Sequence, residues 1–401
     1  MTGSGGRWGT VLVAAVAVLA SACSQVVSGS PQADPSAAPR LETGNYPTTA
    51  QEVPAAARPG DAYQQEGWRI ADSVIFVSDV DRRFSRRVTP AWPVISTKML
   101  VPKNLPHFTD VQATALGGYN LLTGFIDNRG DTGATTGLWG SAGVLRFRDA
   151  GSADRALTAI TPAGAKPVDT TSTFPGSRVI AVRTETLGAG RELISLVMLR
   201  GDLWVVAAVV LPTVKEASEV AAKMLRAQYD RTADYKPLPL DTPSEYPMDQ
   251  DAMMTLVFPG PKNPALLEFG LSADGGLLRG YRTARAEAHL WGTEEKRHTQ
   301  LLQNGPQLVA SNGDESLSRV TRFDTAANAQ AFLTAQFPIS NTESPIEGID
   351  KNSVYCASIE RTGTMCTVRR GRYLHETFST TAQKAYQQTA AAYLVLSSAP
   401  Q

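Results

Sequence analysis

Three cysteines carry the most reactive side chains of this 401-residue chain. Cys356 and Cys366 lie on consecutive strand-like segments, and Gly363 between them suits the left-handed position of a short hairpin. Outside the cytoplasm, two cysteines that face each other in this way become oxidised. A redox-active pair would instead need the Cys-x-x-Cys context that activates a thiol. The spacing therefore predicts a structural disulfide between Cys356 and Cys366.

Cys23 ends a short apolar segment, and Arg7 is the only charge that precedes this segment. A basic start, about a dozen apolar residues and small residues at the end predict a secretory signal over residues 1–22. Two forms of processing fit. Ala20-Ser21-Ala22 suits ordinary secretion, whereas the same residues followed by Cys23 match a lipobox, with alanine at position 20 where leucine is usual.

The lipobox interpretation is favoured because lipidation of Cys23 leaves no free thiol once the other two cysteines pair. We therefore expect Cys23 to carry diacylglyceryl and palmitoyl chains and to hold the protein on the outer face of the cytoplasmic membrane. Residues 23–60 are rich in Pro, Ser, Ala and Gly and are expected to form the lipidated N-terminus and a disordered tether.

Histidines would be the main candidates for acid–base or metal chemistry. The four histidines are His107, His289, His298 and His375. None stands with Cys, Asp or Glu at a recognised metal-ligand spacing, and there is no phosphate loop, dinucleotide fingerprint or nucleophile elbow. We therefore predict no catalytic, cofactor-binding or metal-binding residues. The alternative is a hydrolase or oxidoreductase whose unrecognised site would draw on His289, His298 or His375 together with Glu294 and Glu295.

The composition limits the class of protein. Lys plus Arg and Asp plus Glu both number 38, and such a neutral balance argues against nucleic-acid binding. Hydrophobic residues make up 42% of the chain, which is enough for real cores, and the length indicates two domains or one large one. No segment after the signal has enough consecutive apolar residues to span a membrane.

An internal repeat predicts how the folded part is organised. The segment 146–159 aligns without gaps on 322–335, and both begin with Arg-Phe and end with Leu-Thr-Ala. The pattern of each copy predicts a strand, a helix that starts near Asp149 or Asp324, three further strands and a closing helix. The predicted divisions are a first domain over 61–235, a linker over 236–249 and a second domain over 250–401.

The repeated pattern predicts an α+β protein of two duplicated antiparallel-sheet domains. We expect the helices of each domain on one face of its sheet, in a ferredoxin-like or dimeric α/β-barrel-like arrangement. Two duplicated halves often pack about a pseudo-twofold axis, and the boundary between them would then be a natural cleft.

The lipobox-like end of the signal, the tether, the repeated Arg-Phe helix and Arg370-Gly371-Arg372-Tyr373 after the second cysteine occur together. In these features the chain resembles actinobacterial surface lipoproteins, of mycobacterial and nocardial type, whose function is unknown and which have N- and C-terminal conserved regions. The resemblance implies a location and a domain plan but no catalytic residues.

The expected role is that of a lipid-anchored binding or interaction module of the cell envelope, with a lipid, glycan or protein partner. The alternatives are the enzyme described above and an extracytoplasmic sensory or accessory domain that regulates a transporter or kinase.

Overall fold

The computed structural model describes residues 41–53, 59–87, 91–100, 108–131, 137–161, 176–185, 191–258, 279–291, 305–312, 318–336, 345–359 and 363–400. All of them belong to one compact unit, Leu41–Gln401. The predicted signal and Cys23 lie outside the described residues. So do His107, His298, Glu294 and Glu295.

The first half of the unit is built on a six-stranded antiparallel sheet with the strand order β1-β2-β3-β6-β5-β4. Its strands are β1 (Arg86–Arg87), β2 (Leu121–Gly130), β3 (Trp139–Phe147), β4 (Arg178–Glu185), β5 (Arg191–Arg200) and β6 (Leu203–Leu211). Its helices are α1 (Pro59–Ala71), α2 (Val77–Val80), α3 (Asp110–Leu116), α4 (Ala150–Ile160) and α5 (Val214–Arg231).

The second half has a sheet of the same kind, with the order β10-β11-β12-β9-β8-β7. Its strands are β7 (Gly280–Thr283), β8 (Leu308–Ser311), β9 (Ser318–Arg322), β10 (Val354–Ile359), β11 (Gly363–Arg370) and β12 (Tyr373–Ser379). Its helices are α6 (Ala284–Trp291), α7 (Ala326–Gln336) and α8 (Ala382–Val395).

The two sheets have the same topology. From its opposite edge, the second sheet has the strand order β7-β8-β9-β12-β11-β10. This is the order of the first sheet with six added to every strand number. The Arg-Phe segments end β3 and β9, and each leads into the helix that precedes the next strand. The predicted α+β class with two duplicated antiparallel sheets is therefore confirmed.

Local side chains explain where the repeated helices begin. The Asp149 carboxylate accepts a hydrogen bond from the Ser152 N–H at 2.6 Å, so it caps α4 as expected. In the second copy the cap is Thr325, whose hydroxyl lies 3.1 Å from the Asn328 N–H, and Asp324 stands one residue earlier. The closing helices are both capped by threonines, Thr213 and Thr381.

The helices differ from the predicted arrangement because they cover both faces of each sheet. In the first half, α5 packs on the face of β6 that carries Val205 and Ala207, and α4 packs on the face that carries Trp204 and Val206. A strand covered on both faces must be apolar at every position, and the nine residues of β6 are all apolar and buried.

Residues 41–53, which we expected within the tether, pack on the folded part, and residues 41–51 lie against the second half. Leu41 and Tyr46 pack on its core, and the Tyr46 and Phe258 ring centroids are 6.0 Å apart. The Gln51 N–H donates to the Thr255 carbonyl at 2.7 Å. Widely spaced apolar side chains hold this segment, and the composition of the whole predicted tether, residues 23–60, did not indicate the docking.

The predicted linker also packs closely. Leu240, Tyr246 and Met248 are buried in a cluster with Ala62 of α1, and Val53 packs against this cluster. The domain boundaries at 235, 249 and 250 stay a prediction. Among the described residues, none of the helices is long and apolar enough to cross a membrane.

Candidate functional site

The boundary between the two halves is the place where the sequence predicted a cleft. In the described residues it is a packed core that contains Trp68, Phe125 and Val144 of the first half and Ala286 and Leu290 of the second. Apolar side chains from both halves thus form one continuous cluster. The candidates for chemistry at this boundary are therefore the buried polar groups around the core.

Helix α1 lies between the two sheets and is buried on several sides. The five consecutive residues Gln64–Trp68 are all buried. A Cβ added at Gly67 would lie 2.5 Å from Pro93 Cβ and 3.1 Å from the Gly124 carbonyl, so only glycine allows this approach to β2. No helical period of apolar residues is visible here, because three consecutive buried positions of α1 are the polar residues Gln64, Gln65 and Glu66.

Gln65 joins α1 to the edge strand of the second sheet. Its Nε2 donates to the Tyr281 carbonyl at 2.9 Å, and its Oε1 accepts the Tyr281 N–H at 3.0 Å. Gln64 donates to the Arg279 carbonyl at 2.6 Å. The amide of Gln65 therefore satisfies the donor and the acceptor of β7 as a neighbouring strand would, and this part of the sheet edge is closed.

Glu66 is fully buried and is the centre of a polar cluster. It pairs with Arg69 at 2.6 Å and with Arg146 at 2.8 Å, and it accepts the Leu238 N–H at 3.1 Å. The hydroxyls of Tyr235 and Tyr246 also donate to it, the latter at 2.6 Å.

Burial and the Glu66 carboxylate raise the pKa values of both tyrosines, so they remain protonated donors. Both carboxylate oxygens are saturated with donors, which indicates a structural centre rather than a free acid.

His289 is brought to the boundary by α6, where it meets residues of the first half. Its Nδ1 lies 3.4 Å from Asp127 Oδ2, in poor alignment for a hydrogen bond, and its Nε2 lies 3.2 Å from the Val74 carbonyl. Phe76 stacks on the ring at 4.1 Å. Arg129 pairs with Asp127 through its Nε at 2.9 Å and donates to the His289 carbonyl at 3.2 Å.

Electrostatics keep His289 neutral near pH 7. Burial, together with Arg285 and Arg129, lowers the pKa of His289 despite the attraction of Asp127. Burial, the largest influence, would raise the pKa of Asp127, but the interactions with Arg129 and His289 together outweigh it and hold that pKa well below its usual range. The pair is fully buried, so His289 serves as a contact between the halves and is closed to a substrate.

His375 forms a second pair that resembles catalytic machinery. Its Nε2 lies 2.8 Å from Ser318 Oγ, and the Ser318 hydroxyl also accepts the Phe258 N–H at 2.9 Å. The Phe258 ring covers the imidazole at a centroid distance of 4.9 Å. Burial lowers the pKa of His375 to about 3. Serine and histidine are in hydrogen-bond reach, as nucleophilic catalysis requires, but both are fully buried.

The expected disulfide is present in the structure. Cys356 and Cys366 are directly opposite each other on β10 and β11, with Cα atoms 4.1 Å apart. Gly363, which pairs with Ile359 at the end of the hairpin, has φ +151°, and a Cβ there would lie 2.2 Å from the Ser379 carbonyl. The glycine therefore lets β11 approach β12 beside the disulfide.

Sequence reasoning identified His289 and His375 but missed the groups around them. Glu66, Asp127 and Ser318 carried no recognised motif. A detectable signal was the pair Asp127 and Arg129, two residues apart on one face of a strand that is otherwise largely apolar, where burial requires the charges to pair.

Two family models match the chain. One is described as the N-terminal domain of unknown function DUF7373 and covers residues 53–248. The other is the C-terminal DUF7373 domain and covers residues 279–399. No curated protein matches the sequence.

One solved structure with similarity is the extracellular domain of PknH from Mycobacterium tuberculosis. It is 13% identical, the alignment covers 41% of this chain and 96% of that chain, and the TM-score is 0.25. A similarity this low supports no conclusion about the function of this chain.

Proposed function

Since the chain belongs to the DUF7373 family, with both its N- and C-terminal regions, we propose that it is an exported surface lipoprotein of actinobacterial type. Cys23 anchors it by acyl chains to the outer face of the cytoplasmic membrane. The body acts as a binding or interaction module for a lipid, glycan or protein partner.

The observation that carries this proposal is the disulfide between Cys356 and Cys366. Disulfides persist in oxidising compartments and are rare in the cytosol. Pairing of these two cysteines also leaves Cys23 as the single remaining thiol for lipidation, since the chain has three cysteines.

A binding role is supported by the way the two halves are joined. The boundary is filled by Trp68, Phe125 and Leu290, and α1 is bonded to both sheets. Binding modules need a rigid body that presents a surface, and this packing supplies one.

Metabolic labelling with an alkyne-tagged palmitate tests the anchor. The wild-type protein is expected to take up label and to sediment with membranes, and Cys23→Ser is expected to lose both properties. Cys356→Ser serves as the matched control and should remain labelled. If the wild type sediments with membranes but never incorporates label, the lipid anchor is wrong.

An envelope hydrolase is the second candidate, because Ser318 and His375 are in hydrogen-bond contact. A substrate would have to displace Phe258 to reach them. A fluorophosphonate probe tests this directly. Labelling that disappears in Ser318→Ala would favour the hydrolase over the binding module, and an unlabelled wild type would leave the binding role in place.

A further inference from the structure

The turn that joins the last two strands of each sheet has changed charge between the copies. It reads Arg200-Gly201-Asp202 in the first half and Arg370-Gly371-Arg372 in the second. The Phe147 N–H donates to the Asp202 carbonyl at 2.9 Å, and the Phe323 N–H donates to the Arg372 carbonyl at 2.9 Å. Asp202 and Arg372 therefore occupy equivalent places in the duplicated fold.

In the first half, the positive charge at this end of the sheet is neutralised by carboxylates. Arg146, the arginine of the Arg-Phe segment, pairs with Asp202 at 3.2 Å and with Glu66 at 2.8 Å. Its side chain is 9% exposed, so the cation is covered as well as paired. This end of the first sheet is used for internal packing.

In the second half, three arginines gather around Tyr373, and we call them the arginine cluster: Arg322, Arg370 and Arg372. Arg322 and Arg370 are the direct cross-strand partners of Tyr373, so two strand spacings of about 4.8 Å separate them. The Arg372 guanidinium lies 5.6 Å from the Tyr373 ring. All three side chains are therefore within reach of one small ligand on the face that α8 covers.

Most of this charge has only uncharged partners. Arg370 donates to the Tyr393 carbonyl at 3.2 Å, and Arg372 reaches the Pro400 carbonyl at 3.5 Å. Within the described residues, the arginine cluster makes one ion pair, between Arg322 and Asp251 at 2.9 Å. The Nε atoms of Arg322 and Arg372 are buried and make no hydrogen bond with any of the described residues.

We propose that the arginine cluster is a binding site for a phosphate-bearing anion. Guanidinium groups match phosphate oxygens with parallel N–H donors, and several of them around one anion give strong charge-assisted hydrogen bonds. The phosphate belongs either to a membrane lipid headgroup or to a soluble molecule. The lipid source rests on the proposed function, because it requires a protein held at a membrane surface.

The competing explanation is that these arginines only cap the carboxyl end of α8. It suits Arg370, which also stacks on Tyr393 at 4.7 Å. Arg200, the residue of the first half that is equivalent to Arg370, stacks on Tyr229 at 3.9 Å. It does so although the position equivalent to Arg372 is an aspartate, Asp202. Stacking on the last helix is therefore the shared structural role, and Arg372 is the addition.

Arg372→Asp separates the two explanations, because it installs the residue that the first half has. The new carboxylate can pair with Arg322 as Asp202 pairs with Arg146, so the thermal midpoint is expected to stay at the wild-type value or to rise. Arg148→Asp, at an exposed arginine of the first half, is the control with the same change in charge.

The assay uses the full chain with Cys23→Ser, so that no acyl chain contributes. Binding is measured by sedimentation with vesicles of phosphatidylcholine, with and without phosphatidylglycerol, and by calorimetric titration with inorganic phosphate. Phosphatidylglycerol-dependent binding that phosphate displaces supports the site with a lipid source. Binding of phosphate without vesicle binding supports the site with a soluble source.

In either case Arg372→Asp should weaken binding by about tenfold or more, and Arg148→Asp should change it far less. If neither probe binds, or if the two variants are equally affected, the site is wrong. The palmitate labelling of the wild type is read independently, so loss of the anchor and loss of the anion site are distinguishable.

Discussion

Acidification should destabilise this protein through His375, and the effect can be isolated from other titrating groups. Burial lowers the pKa of His375 from 6.5 to about 3. The unfolded chain therefore binds a proton below pH 6.5 that the folded chain does not accept until about pH 3. The contribution to stability is complete above pH 6.5 and is lost as the pH falls toward 3.

The magnitude follows from that window. Each pH unit inside it costs about 1.4 kcal/mol, so at two units below the unfolded pKa the free energy of unfolding falls by about 2.7 kcal/mol from this residue alone. His375→Gln keeps a neutral donor beside Ser318 and cannot titrate. The difference in unfolding free energy between wild type and variant should therefore shrink by about 1.4 kcal/mol per pH unit on acidification.

Urea unfolding followed by tryptophan fluorescence across the range from neutral to mildly acidic pH measures this difference. His289 and the carboxylates titrate in both proteins and cancel. Ser318→Ala is the matched control, because it removes the hydroxyl partner but leaves the buried imidazole, so it should keep the wild-type pH dependence. A wild-type-minus-variant difference that does not change with pH would refute the reasoning.

Three further predictions concern packing and covalent structure. Glu66→Ala should lower the free energy of unfolding by about 3–5 kcal/mol in urea titrations, because it leaves buried cations without their partner. Cys356→Ser with Cys366→Ser should lower it by about 2–3 kcal/mol, and the wild type should resist alkylation until reductant is added. Gly67→Ala should destabilise by about 1–3 kcal/mol, since its Cβ would clash with Pro93, and an unchanged urea midpoint would contradict the observed packing.

The repeat made most of the sheet architecture predictable. The matching Arg-Phe segments and the strand and turn signals after them predicted three strands behind the first helix of each copy, and these are β4 to β6 and β10 to β12. These strands follow from local rules, because alternating or continuous apolar runs between glycine-containing turns have few other structures available.

Two features depend on long-range contacts and could not be predicted in the same way. Helix α1 is stabilised by partners more than 200 residues away, such as the Tyr281 backbone, which satisfies Gln65. The docking of residues 41–53 likewise depends on Phe258 and Thr255, which the composition of the segment itself does not reveal.

The helices on both faces were a different case, because the sequence carried a usable signal. Leu203–Leu211 is apolar at all nine positions, whereas a strand with one open face alternates. The buried pairs of the candidate site are harder to predict from the sequence. Ser318 and His375 are 57 residues apart, and only the register of β9 with β12 brings them together.

The position of α1 has a consequence for the way this protein must be made. Gln65 and Tyr281 are 216 residues apart, so a chain that emerges amino terminus first exposes α1 well before its partner strand exists. Buried glutamine and glutamate side chains cannot stabilise that helix alone, and contacts of such separation slow folding. The first sheet and the Glu66 cluster can assemble early, but the buried amide of Gln65 has no partner until the last third of the polypeptide is present. We therefore expect the rate-limiting step of maturation to be the closing of the second half around α1.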